Sequence, residues 1–176
     1  ANVMRLAPKI YSLLLFLLFS FAGIDAGRAN APEPLPAADA LRVVKSERKL
    51  YLLRDGEAYK SYCISLGSRP VGDKVQAGDK RTPEGRYIID WRNLESNYHR
   101  ALHISYPDAA DRQEAQARGV DPGGMIMIHG LPNKARGETD GYVGMDWTDG
   151  CIAVTNAEIE ELIRVVKDGT PIEILP

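Results

Sequence analysis

The chain has 176 residues, of which 44% are hydrophobic and 26% charged, with a formal net charge of −2 and a sequence pI near 6.0. That length leaves room for one sizeable core, and mild acidity without a basic run excludes a nucleic-acid partner recognised through charge. Two cysteines are too few for a disulfide-stapled mini-domain.

Arg5 and Lys9 precede the apolar run "IYSLLLFLLFSFAGI" (Ile10–Ile24), which ends in the small residues of "DAGRANA". A positive start, a short apolar run and a small-residue exit predict a secretory signal peptide over residues 1–29, cut after Ala29. The run is shorter than the roughly 18–20 apolar residues of a spanning helix, so no stable membrane insertion is expected after cleavage. "NAPEPLPAADA" (30–40) reads as an extended Pro- and Ala-rich linker, and residues 41–176 as one domain.

That domain opens with "LRVVKS", "KLYLLRDG" and "AYKSYCISLG", three strand-like runs separated by turn residues. "RPVGDKVQAGDKRTPEG" (Arg69–Gly85) is too broken for an element and reads as a functional surface loop. "RYIIDWR" and "RALHISY" read as strands, and "DAADRQEAQARG" (Asp108–Gly119) as a short helix stopped by glycine. "GMIMIHG" and "CIAV" are the next strands. In "TNAEIEELIRVVKDG", Thr155 and Glu158 have capping-box spacing, and Ile159, Leu162, Ile163 and Val166 share a face, which predicts the strongest helix. "TPIEIL" closes the chain as a strand. The sum is a mainly β domain with one or two covering helices.

If "MIMIH" and "CIAV" are antiparallel neighbours, His129 and Cys151 fall at one edge of the sheet. A thiolate is the nucleophilic form of cysteine, and an adjacent imidazole takes its proton. Gly150, just before the thiol, lets backbone N–H groups turn towards a substrate carbonyl and hold its oxyanion. Taken singly, the cysteine also reads as a small buried hydrophobe and the histidine as a satisfied polar residue. Four ligands at zinc spacing are missing, so neither a metal nor another cofactor is expected. Export would favour a Cys63–Cys151 disulfide, but Cys63 lies mid-strand without Gly or His beside it, and packing is its expected role.

"HG…TDGCIAV" resembles the signature of the L,D-transpeptidase (YkuD-type) catalytic domain family, an HG pair followed after a loop by Ser/Thr-x-Gly-Cys. "GDKRTPEGRYII" (Gly78–Ile89) is similar to the family's second landmark, and "VVKSERKLYLLRDGEAYKSYCISLG" resembles its first strands. The resemblance implies a β-sandwich of mixed sheets and cell-wall chemistry in the periplasm or extracytoplasmic envelope. It also implies peptidoglycan stem peptides as partners, with a wall-attached protein as a further one. Carried onto this chain, it makes Cys151 the nucleophile and His129 the base and acid. The N–H groups at Gly150 and Cys151 become the oxyanion hole, and Thr148 the residue that shapes the turn. A thioester forms and is resolved by an amine, or by water.

Two positions depart from the family pattern. Asp149 places a carboxylate beside the thiol, which opposes ionisation unless it pairs with an imidazolium, and Ala153 stands where many members carry Arg. The stretch Tyr106 to Asp111 is similar to a subgroup with hydrolytic members, which makes a cysteine hydrolase the alternative reading. Candidate substrate contacts are Arg81, Tyr142, Trp147 and Asp149, with Lys80, Lys134 and Arg136 as further loop cations. His99 and His103 are expected to be structural.

Overall fold

The computed structural model describes residues 33–135 and 141–176. The signal-peptide reading and Arg136 lie outside the described residues.

Alternating burial builds the first half of the domain. Strand β1 (Ala40–Val44) turns Leu41 and Val43 inwards, β2 (Lys49–Arg54) does so with Leu50 and Leu52, and β3 (Glu57–Cys63) with Tyr62. β4 (Gly85–Ser96), β5 (His99–Ile104), α1 (Ala109–Ala117), β6 (Met127–His129), β7 (Ile152–Ala153), α2 (Asn156–Val165) and β8 (Pro171–Leu175) follow. The strands run in the order β3-β2-β1-β8-β4-β5-β6-β7.

Long strand β4 serves two sheets. Its start, Gly85–Ile88, pairs with β8, and its remainder pairs with β5 through two irregularities in register. The bulges bend the strand and let one ribbon turn from the first sheet into the second. Beyond β3, Ser65 and Ala153 exchange backbone hydrogen bonds of 2.9 Å, and Gly67 bridges Thr148. The two mixed sheets therefore close around one core, the expected β-sandwich.

Both helices begin where their side chains cap them. Asp108 and Asp111 form a capping box on α1, and Thr155 and Glu158 form one on α2. α2 lays Ile159, Leu162 and Val165 over β5 and β6. Ile159 and Leu162 are wholly buried, and burial of such side chains contributes about 1.5–3 kcal/mol each. α1 buries only Ala115. Among the described residues no helix is long and apolar enough to cross a membrane.

Three expectations change. β6 and β7 are parallel, with Ile128 opposite Ile152 and His129 opposite Ala153. The long connection between them has the dozen or more residues a parallel crossover needs. The segment read as a linker joins the domain before its end: Ala38 is buried, its N–H bonds Val165 O at 2.9 Å, and β1 starts at Ala40. Cys63 ends β3 exposed rather than packed, and both cysteines are free.

Candidate active site

The site lies along β6 and at the start of β7: His129 closes β6, and Cys151 immediately precedes β7. Parallel register puts Cys151 beside Met127 and sets His129 two residues further along the same face. Both side chains line one cleft of about 330 Å³. Met125 and Met127 form one wall, Tyr98 and Trp147 another, and Ser96, Thr148 and Asp149 supply polar groups.

His129 is buried, and its Nδ1 lies 2.7 Å from the Gly130 carbonyl. A carbonyl only accepts, so Nδ1 carries the proton and Nε2 keeps a free lone pair. The Tyr98 ring centroid is 4.5 Å from the imidazole and the Trp147 ring 5.8 Å away, edge-on. Burial lowers the imidazole pKa below its ordinary 6.5, against the smaller opposing effect of the Gly130 hydrogen bond. The ring is therefore neutral at pH 7.

The Cys151 thiol donates to Met125 O at 3.6 Å. Burial pushes its pKa above the ordinary 9.0 and the Asp149 charge adds to this, while the Met127 N–H and the Lys74 ammonium pull the other way. The thiol is thus protonated at neutral pH. A neutral thiol and a neutral imidazole make proton transfer part of the attack, not a prelude to it.

Backbone shape at the thiol is dictated by contacts. Thr148 is buried, its hydroxyl donating to Cys151 O at 2.6 Å and accepting from Gly150 N at 3.2 Å. Gly150 has φ +131°, and a Cβ there would lie 2.7 Å from Arg81 O. Only glycine fits this turn. Gly130 is constrained in the same way, since a Cβ would meet Asn156 Oδ1 at 2.6 Å. The same Asn156 oxygen accepts from Leu131 N at 2.8 Å, tying the end of β6 to the start of α2.

The profile of the YkuD family, the L,D-transpeptidase catalytic domain, matches residues 38–174. The chain belongs to this family. It is 32% identical over 178 aligned positions to a protein of Escherichia coli K12 named "Putative L,D-transpeptidase YafK", a match covering 93% of this chain and 64% of that protein. The chain thus spans under two thirds of that relative's length. It is similar in structure to the helical cell shape determining protein Pgp2 of Campylobacter jejuni (28% identity, TM-score 0.58, covering 77% of this chain and 46% of that one). A second likeness is to Bd1075 of Bdellovibrio bacteriovorus (25% identity, TM-score 0.56, covering 79% and 48%).

Within this L,D-transpeptidase domain, Cys151, His129, Thr148, Trp147 and Asp149 line the cleft, while Gly150 lies behind it against Arg81 O. Arg81 does not line it: its guanidinium donates to Asp73 O at 3.2 Å, and only its backbone reaches the site, behind Gly150. Tyr142 lines an adjoining recess with Lys134, and its carbonyl accepts from Trp147 Nε1 at 3.1 Å. Lys80 is exposed. Ala153 is buried and offers no polar side-chain contact to the cleft. His99 bonds Glu160 at 2.7 Å, and His103 bonds Asp90 at 2.6 Å while stacking on Trp91. Neither lines the cleft.

Sequence reasoning missed Tyr98, Ser96, Met125 and Met127. Tyr98 belongs to the β4–β5 turn, which Asn133 pins by bonding His99 N at 2.8 Å and Ser96 O at 3.0 Å. No local motif announces it, because its role comes from pairing β5 with β6. The methionines could have been found by carrying the strand face back from His129.

Proposed function

We propose that this chain is an exported peptidoglycan L,D-transpeptidase with Cys151 as nucleophile. The reading rests on one observation above the rest: Cys151 and His129 share a cleft in which the Gly130 carbonyl occupies Nδ1 and leaves Nε2 free. Sγ attacks the carbonyl carbon of the stem-peptide amide joining an L-centre to a D-residue, while Nε2 accepts the thiol proton. The oxyanion is held by N–H groups at Gly150 and Cys151. As the C–N bond breaks, the imidazolium protonates the leaving amine and a thioester remains. An acceptor amine then attacks the thioester, its proton passing to Nε2 and on to the departing Sγ.

Membership of the L,D-transpeptidase domain family supports this chemistry. Pgp2, a helical cell shape determining protein, supports a wall-remodelling role for the present chain. Residues 1–29 support placement in the periplasm or outer envelope, and a wall-attached protein is a further acyl partner.

Hydrolysis uses the same residues with water in the second step. The stretch that suggested it runs beneath the loops: Tyr106 donates to Pro122 O at 2.9 Å, and Asp111 caps α1. Neither lines the cleft, so transfer is the primary reading. Purified protein incubated with tetrapeptide muropeptides and a labelled D-amino acid separates the two by mass spectrometry. Label incorporation is expected. A shortened stem without label would replace transfer with hydrolysis, and full activity in Cys151→Ala would overturn both.

A further inference from the structure

We propose that the buried ion pair of Lys74 and Asp79 is a positioning device for the nucleophile turn, holding the Lys80–Arg81 backbone against Gly150 and so aiming the N–H groups at Cys151. The inference rests on the reading of Cys151 as nucleophile.

The loop between β3 and β4 has no regular structure, yet two buried lysines organise it, Lys45 from the β1–β2 turn and Lys74 from the loop itself. Lys45 Nζ donates to Gly72 O at 2.7 Å, Thr82 O at 2.9 Å and Glu84 Oε1 at 2.8 Å, fastening both ends of the loop to β1. Lys74 and Asp79 organise its middle. Their side chains are 3% and 9% exposed and meet at 2.8 Å. Asp79 also accepts from Val75 N at 2.8 Å, Gln76 N at 3.1 Å and Arg81 N at 3.1 Å.

The bond to Arg81 N is the link to the site. Once this amide is fixed, the backbone of Lys80 and Arg81 passes through a gap with no slack. A Cβ on Gly67 would lie 2.2 Å from Lys80 O and 3.1 Å from Gly150 Cα, and one on Gly150 would lie 2.7 Å from Arg81 O. Gly67 N donates to Thr82 Oγ1 at 3.1 Å, and Lys80 O accepts from Arg69 N at 3.1 Å. Three backbone segments are thus in mutual contact, and one of them leads into the thiol. A displacement at Asp79 reaches Gly150 through backbone alone. A buried ion pair is a weak stabiliser compared with apolar residues of equal volume, whereas a carboxylate accepting from a cation and three N–H groups specifies one loop conformation. The Lys74 ammonium also favours the Cys151 thiolate, opposing burial and Asp149.

The test compares the full chain with Lys74→Met, Asp79→Asn and the double variant Lys74→Met/Asp79→Leu, each turning over muropeptide with kcat normalised to folded protein. Loss of one oxyanion donor costs about 10²–10³ in kcat, so misaimed donors are expected to lower kcat about tenfold or more, with KM within about threefold. The double variant replaces the charges by apolar volume and keeps the comparison valid where a single variant fails to fold. It is expected to melt near the parent and still lose kcat. Parent kcat in folded Asp79→Asn or in the double variant overturns the proposal. A parallel Cys151→Ala control keeps the two failures apart. Its continued turnover sinks the nucleophile reading, whereas an inert Cys151→Ala beside fully active Lys74 and Asp79 variants sinks only the positioning role.

Discussion

The two cysteines flank neighbouring stretches of backbone, for Cys63 ends β3, Cys151 precedes β7, and the extension of β3 pairs with β7 through Ser65 and Ala153. Their surroundings differ in almost every respect. Cys63 is exposed on an edge strand, with Lys49 Nζ 3.2 Å from its sulfur and no histidine among its hydrogen-bond partners. Cys151 is half-buried in a cleft, preceded by a glycine in the left-handed region, with a neutral imidazole lining the same cleft. Lys49 presents a cation to the Cys63 sulfur, yet among the described residues Cys63 has no imidazole partner and no preceding glycine turn. What separates the two sites is a fixed proton acceptor and a fixed backbone, not the charge beside the thiol.

The largest effects should fall on one side of this contrast. Cys151→Ala is expected to lower muropeptide turnover by about 10⁴-fold or more, while Cys63→Ser stays within about twofold, both read by mass spectrometry. His129→Gln, which keeps the size and polarity but removes the base, should cost about 10²–10⁴ in kcat. Gly150→Ala must push against Arg81 O and adopt a strained φ. A loss of about 1–3 kcal/mol in stability by denaturant melting is expected, together with lower kcat.

The pH dependence sharpens the same comparison with a smaller effect. kcat/KM should climb as His129 loses its proton, which burial places below pH 6.5. It should then stay level until the thiol ionises, above 9.0. A maximum confined to acid pH would contradict a neutral base. The lowered His129 pKa also ties folding to pH. The unfolded imidazole binds its proton more readily, so this contribution to stability is present above pH 6.5 and is lost as pH falls through the folded value. Thermal melting between pH 7 and pH 5 checks the sign.

Much of the scaffold was legible because its signals are local. Turn residues set the first three strands apart, and the capping-box spacing of Thr155 and Glu158 marked the start of α2. The Thr-Asp-Gly-Cys turn was legible for the same reason: Thr148 bonds within three residues of itself. Strand direction was not, since β6 and β7 carry the same apolar pattern whether parallel or antiparallel. Arg81 shows the complementary error. A loop cation near a predicted site suggests a substrate contact, but its guanidinium is spent on Asp73 and its carbonyl is the part that matters.

The sequence by itself determined which segments are strands and helices and where the strongest helix begins, because each depends on neighbours within a few residues. Only the tertiary structure decided that β6 and β7 run parallel, that Tyr98 and two methionines wall the cleft, and that the Lys74–Asp79 loop presses on Gly150. Those facts depend on which distant backbones touch. Close packing settles such contacts within fractions of an ångström, and residue order carries no local trace of them.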